Sequence, residues 1–313
     1  MERPAGVANE VPGTQIRPTN ETNGRPRGFA GKHPITQFLF LTFLISWGCW
    51  LSVSFVGDTG SYIEIAGSVH GISSKVALTL FGNYVPGIVA LIVLFLSGGR
   101  KDVYAFLLRF KFWRIGARLY LFAFLCPIAI LLLAALANLF AGGSDPPLPS
   151  FRVWIELFLI NLPFAPLWEE IGWRGFLLPR LQEFQSGFRA SIILGIVWGV
   201  WHVPLLWHAV PQGIAPVRAF FVFFVTVTGL SVLLAWLYNR TSGALLPVII
   251  FHGIFNATSP YLIESTVPQD GLKPLIWAAL FVWSAALAVR FMAGSDLAYK
   301  RKQLAGSHHL ARG

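Results

Sequence analysis

Hydrophobic positions in this chain come in long runs, not in alternation. Eight runs are separated by short polar stretches, at about 35–57, 76–97, 117–141, 152–180, 189–208, 218–238, 243–261 and 274–293. Each approaches or exceeds the ~20 apolar residues an α-helix needs to cross ~30 Å of hydrocarbon. A helix also satisfies its own backbone where no water is available to do so. The pattern therefore predicts an all-α, polytopic membrane protein of about eight transmembrane helices. Runs six and seven are separated only by "NRTSG" at 239–243, which reads as the tight link of a helical hairpin. Residues 35–293 read as one transmembrane domain. Residues 1–34, rich in Pro, Gly, Asn and Thr, read as a disordered cytoplasmic tail. They lack the apolar core of a signal peptide. Residues 294–313 read as a second cytoplasmic tail.

Composition agrees with the runs. Of 313 residues, 55% are hydrophobic and 12% charged, about half the charge of a soluble domain. The net charge of +10 would suggest a nucleic-acid partner if it were spread over a soluble surface, but its location says otherwise. Nineteen of the 24 basic residues fall in the tails and alternate loops on one side of the eight-run layout. Four (Lys75, Arg152, Arg218, Lys273) fall on the other, and Arg174 lies inside a run. By the positive-inside rule both termini are cytoplasmic in a multi-pass cell-membrane protein. Anionic headgroups then account for the basicity and no nucleic-acid partner is expected. The short polar tails are of a bacterial kind. Cys49 and Cys126 sit in apolar runs without a CxxC spacing and read as small buried hydrophobes.

The fourth run breaks the pattern. The stretch "PLWEEIGWRGFLLPR" at 166–180 carries Glu169, Glu170 and Arg174. His202 in the fifth run, and His252 with Asn256 in the seventh, are also at hydrocarbon depth. At ~1.5 Å rise per residue from the cytoplasmic ends, Glu169, His202 and His252 lie ~17, ~20 and ~14 Å deep, in one slice of the bilayer. Facing lipid, each would cost ~2.5 kcal/mol or more, so all should face the bundle interior. Glu170 and Arg174 are four apart with the acid first, the favourable order for an ion pair. That leaves Glu169, rotated ~100° from Glu170, free for chemistry. Trp198 lies one turn before His202. A lone intramembrane histidine is most often an interhelical hydrogen-bonder, and a lone Glu–Arg pair is most often structural. The convergence of all of them argues for a site.

A carboxylate and two imidazoles in a dry site suit hydrolysis by activated water. Asn256 can donate its amide to a developing oxyanion. Ser231 and Ser242 lack an adjacent base, so water is the expected attacker. Glu169, His202 and His252 are also the ligand types of a catalytic zinc centre. Against this, the three come from separate helices, with no HExxH-type pair. At this stage the cofactor is either none or Zn²⁺. The remaining histidines read as solvent-exposed, and Trp47, Trp50, Trp113, Trp207 and Trp277 as an interfacial aromatic belt.

"EEIGWR" at 169–174, "WGVWH" at 198–202 and "HGIFN" at 252–256 read as EExxxR, aromatic-xxxH and HxxxN. In this order and spacing they resemble the CAAX-protease and bacteriocin-processing (CPBP or Abi) family of intramembrane endopeptidases, whose eight-span layout is similar. The resemblance covers about 150–260. It implies that Glu169, assisted by His202, activates water and that His252 and Asn256 bind the oxyanion. Glu170 with Arg174 would form a structural ion pair. The second motif of the family commonly begins with Phe, whereas this chain has Trp198 in the pocket wall. The family is usually called a metalloprotease family, although a metal-free glutamate mechanism has been argued for it. The implied substrate is a membrane-associated or lipidated peptide or protein, and eukaryotic members act on prenylated ones. A non-proteolytic scaffold or bacteriocin self-immunity factor is the alternative. A transporter is disfavoured because Pro163 and Pro166 have no matching pair in a second half, as inverted repeats would require.

Overall fold

The computed structural model describes residues 33–56, 60–65, 68–207 and 214–299. The expected N-terminal tail lies almost wholly outside these, as do residues 300–313 of the expected C-terminal tail and His208. Among the described residues the chain is a helical bundle. Helix α1 (Pro34–Ser52) leads to a small antiparallel hairpin of β1 (Gly60–Ile65) and β2 (Ser68–Ser73), with Gly60 opposite Ser73. Next come α2 (Ser74–Leu107) and α3 (Ala117–Phe140). Helices α4 (Phe151–Asn161) and α5 (Pro166–Gln182) form a bent pair. The chain continues through α6 (Gly187–Trp201), α7 (Val203–Trp207), α8 (Pro216–Arg240), α9 (Leu246–Leu262), the short α10 (Val267–Asp270) and α11 (Lys273–Ala293).

Six of these helices are long and apolar enough to cross a membrane, or seven if the bent pair is one span. The expectation of eight single helices is thus corrected at runs four and five. Run four is two helices meeting at 45°. The break falls on "NLPFAP", where Pro163 and Pro166 offer no N–H to continue the helical ladder. Pro166 itself opens α5, where its missing N–H costs nothing. In run five, α6 has only 15 residues, ~22 Å of rise, short of the hydrocarbon thickness. It stops at Trp201, and His202 stands in the turn before α7. The hairpin in the loop after α1 was not anticipated, because the search for apolar runs passes over short strands.

The second departure from regular geometry lies inside α5. Residues Ile171–Leu177 wind as a π-helix, a rare conformation found mostly at functional sites. Its two glycines admit neighbours that a side chain would exclude. A Cβ on Gly172 would lie 2.6 Å from that of Pro86 in α2, and one on Gly175 2.7 Å from the Phe106 ring. Elsewhere small residues set close contacts in the same way, as where Gly195 of α6 meets the Thr228 backbone of α8. Around the π segment lies the main core, whose bulkiest buried side chains include Trp50, Trp173, Trp198 and Trp201. In that core, fully buried among them, is Arg174.

Candidate active site

Helix α5 enters the core with Glu169 and Glu170 at the last regular turn before the π segment, and both are buried. Arg174, one turn on, donates from Nη1 to Glu170 Oε1 at 2.8 Å, with both side chains wholly inaccessible. The same Oε1 accepts from Nδ1 of His252 on α9, also at 2.8 Å. The pair expected within one helix is therefore a three-residue chain across two helices, and Glu170 orients an imidazole as well as neutralising an arginine. Glu170 Oε2 and Arg174 Nε and Nη2 have no hydrogen-bond partner among the described residues. The remaining guanidinium charge lies over the Trp198 ring, 4.3 Å from its centroid, a cation–π contact strengthened by the dry surroundings.

Trp198, anticipated only as pocket wall, is the hub of the site. Its Nε1 donates to Glu169 Oε2 at 2.7 Å. Its backbone oxygen accepts from His202 Nδ1 at 2.8 Å. Its ring meets that of His252 edge-on at 5.3 Å. A carbonyl can only accept, so His202 carries its proton on Nδ1, leaving the Nε2 lone pair available in the neutral imidazole. Glu169, by accepting the indole N–H on one oxygen, keeps the other for a proton. Trp201 and Phe223 clasp the His202 ring at 4.7 and 5.1 Å. Glu169 and His202 both lie within electrostatic reach of His252. Asn256, half-buried one turn beyond His252, makes no hydrogen bond to any described residue. Its amide is thus uncommitted. The structure draws Glu169, Glu170, Arg174, Trp198, His202 and His252 into one network, with Asn256 at its edge.

Two features escaped the sequence reading. Arg109 is among the nineteen basic residues that the sequence pattern explains by topology. In the fold its Nη1 donates to the Gly175 carbonyl inside the π segment (2.8 Å) and to the Tyr238 hydroxyl (3.0 Å). Nothing local marks it, because its partners are 66 and 129 residues away. Trp47 and Trp50 were assigned to the interfacial belt, yet Trp50 is buried against Trp201 at 4.6 Å and Trp47 Nε1 donates to the Trp201 carbonyl. Both tryptophans brace the helix end that presents His202.

The donor set does not fit a zinc centre as it stands. Among the described residues no three His, Cys, Asp or Glu side chains group closely enough to hold one ion.

Residues 151–258, which contain every one of these candidate residues, match the family model described as Type II CAAX prenyl endopeptidase Rce1-like. That segment is similar to the CAAX-protease family. Over 259 residues it is 26% identical to CAAX prenyl protease 2 of Methanococcus maripaludis, an alignment covering 79% of this chain and 92% of that protein. The similarity indicates a multi-pass membrane protease acting on peptide bonds, and the matched segment begins at α4 and ends within α9.

Two substitutions separate support from chemistry in this protease. Arg174→Ala strands Glu170 as an unpaired buried acid and is expected to destabilise the fold by about 3–5 kcal/mol. The yield of monodisperse protein in detergent checks this. Trp198→Phe keeps a ring under Arg174 but removes the indole N–H from Glu169. A charged hydrogen bond of about 1.5–3 kcal/mol is lost from the positioned carboxylate. Turnover should fall about ten- to a hundredfold, with folded, monodisperse protein of somewhat lowered melting temperature.

Proposed function

We propose that this protease cleaves a peptide bond near the lipidated or membrane-embedded terminus of a substrate, using water activated by Glu169 and His202. The observation that carries this reading is the double use of Trp198, whose indole N–H holds Glu169 while its carbonyl holds His202. One residue thereby aims a carboxylate oxygen and an imidazole lone pair from two helices. In the proposed cycle the free oxygen of Glu169 takes a proton from water, His202 Nε2 accepts the second water hydrogen as a hydrogen bond, and the water oxygen attacks the scissile carbonyl. The oxyanion accepts from the Asn256 amide. It also accepts from Nε2–H of an imidazolium at His252, whose Nδ1 is bonded to Glu170. The C–N bond then breaks and Glu169 returns its proton to the leaving amine. No step uses a metal ion. Arg174 keeps Glu170 in place throughout.

The proposed substrate class follows from the site's depth and from the name of the relative, CAAX prenyl protease 2. A site buried among membrane-spanning helices is reached most directly by a chain that a lipid anchor holds at the surface. The proposed orientation places both termini in the cytoplasm, on the side of the 19 basic residues. Reporter fusions at the C-terminus and in the 142–150 loop test it, and an extracytoplasmic C-terminus would overturn it.

Purified protein in lipid discs, incubated with farnesylated and unmodified C-terminal peptides and read by mass spectrometry, should release short C-terminal fragments from the farnesylated set. Glu169→Gln should abolish release without loss of folded protein. Asn256→Ala should lower kcat by about 10²–10³ with KM nearly unchanged. A folded Glu169→Gln variant that retains turnover would sink the assignment of the base. Stoichiometric bound zinc whose removal and return switch activity off and on would sink the metal-free cycle.

A further inference from the structure

Helices α8 and α11 pack side by side in parallel, and their contact is uneven. Deep in the bundle they touch: a Cβ on Gly229 would lie 2.9 Å from Val282 and 3.0 Å from the Trp283 indole nitrogen. Toward their N-termini they diverge and leave a groove of ≈ 710 Å³, walled by Val217, Phe221, Val225, Ile276, Leu280 and Trp283. That is the volume of a built ligand site, which typically falls within about 300–1,000 Å³. Trp283 closes its inner end, held there by donation from its Nε1 to the Val225 carbonyl at 2.8 Å. The lining runs from residue 217 to 225 on α8 and from Leu272, just before α11, to Trp283 within it, ~12 and ~17 Å along the axis. The groove is thus about half the ~30 Å hydrocarbon thickness, the depth of one leaflet.

Every lining residue is apolar except Arg218, one turn into α8 at the groove's outer mouth. Arg218 is exposed and has no ion-pair partner among the described residues. The nearby cation Lys273 lies in the field of Asp270, which is itself bonded to Asn138 and Ser144. An arginine at headgroup level, above a dry slot one leaflet deep, matches one kind of ligand. We propose that this groove is a binding site for a single anionic phospholipid, with an acyl chain between α8 and α11 and its phosphate on the Arg218 guanidinium. A guanidinium presents paired N–H donors to phosphate oxygens. A partner's transmembrane helix would need a face about twice as long, and the floor at Trp283 and Gly229 does not provide it. The site is independent of the proteolytic reading, since no residue of the Glu169 network lines it.

The test is native mass spectrometry of the full chain in non-ionic detergent with equal amounts of phosphatidylglycerol and phosphatidylcholine. Wild type should retain one phosphatidylglycerol in preference to phosphatidylcholine. Arg218→Gln should reduce that retention about fivefold, to the level of phosphatidylcholine, as expected for one basic residue at the membrane surface. Ala279→Trp should fill the slot and remove both adducts. If Ala279→Trp does not fold, Arg218→Gln decides, because it alters only an exposed side chain. Equal retention of the two lipids, or no change in Arg218→Gln, would mean bulk lipid only and overturn the proposal. So would a two-copy mass lost on Ala279→Trp, which would make the groove a dimer face. Displacement of phosphatidylglycerol by a farnesylated peptide would overturn it as well, assigning the groove to substrate.

Discussion

The ion pair between Glu170 and Arg174, held where no water reaches either side chain, constrains everything around it. Taking two such charges out of water costs several kcal/mol each, and their mutual attraction repays this only when geometry is good and neighbours complete the shell. Here the neighbours come from three other elements. His252 shares the Glu170 oxygen, Trp198 covers the guanidinium face, and Arg109 holds the carbonyl of the segment that carries Arg174. Such a pair adds little net stability, but it makes most alternative packings of α5 costly. Any rotation of the helix would leave a bare charge in an apolar core.

That specificity is used to hold an irregular stretch of backbone. A π segment gives up regular i to i−4 hydrogen bonding and would relax to an ordinary helix in an isolated peptide. It persists because Pro86 and Phe106 of α2 press against its two glycines while Arg109 bonds its carbonyl. Irregularity recurs at each place where the site is built. A proline break precedes α5, a π segment follows Glu170, and α6 ends where His202 begins. Non-helical backbone at membrane depth is tolerated only when protein surrounds it, and here a ring of tryptophans does so. The same packing that shields the breaks aims the side chains they release.

The network also gives two adjacent carboxylates different surroundings. Glu170 has an arginine and an imidazole on one oxygen. Glu169, one position earlier, receives a single neutral indole N–H and keeps an oxygen free. Elsewhere in the bundle, α8 and α11 separate over about the depth of one leaflet. There the protein has not filled the space between its helices, and a lone arginine marks the exit.

The sequence by itself determined the membrane setting, the all-α class, most helix ends and the identity of the polar residues at depth. These are local properties. Hydropathy is read over ~20 residues, and the Glu170–Arg174 pair follows from spacing on one helix. Shared depth even indicated that Glu169, His202 and His252 converge, since depth depends only on distance along each span. What tertiary structure alone decided is how each helix is rotated, bent and pressed against its neighbours. That includes the π winding, the break before His202, the move of Trp50 from belt to core, the role of Arg109 and the central place of Trp198. Each depends on contacts between residues far apart in the chain, and no periodicity within one segment encodes which face of another it will meet.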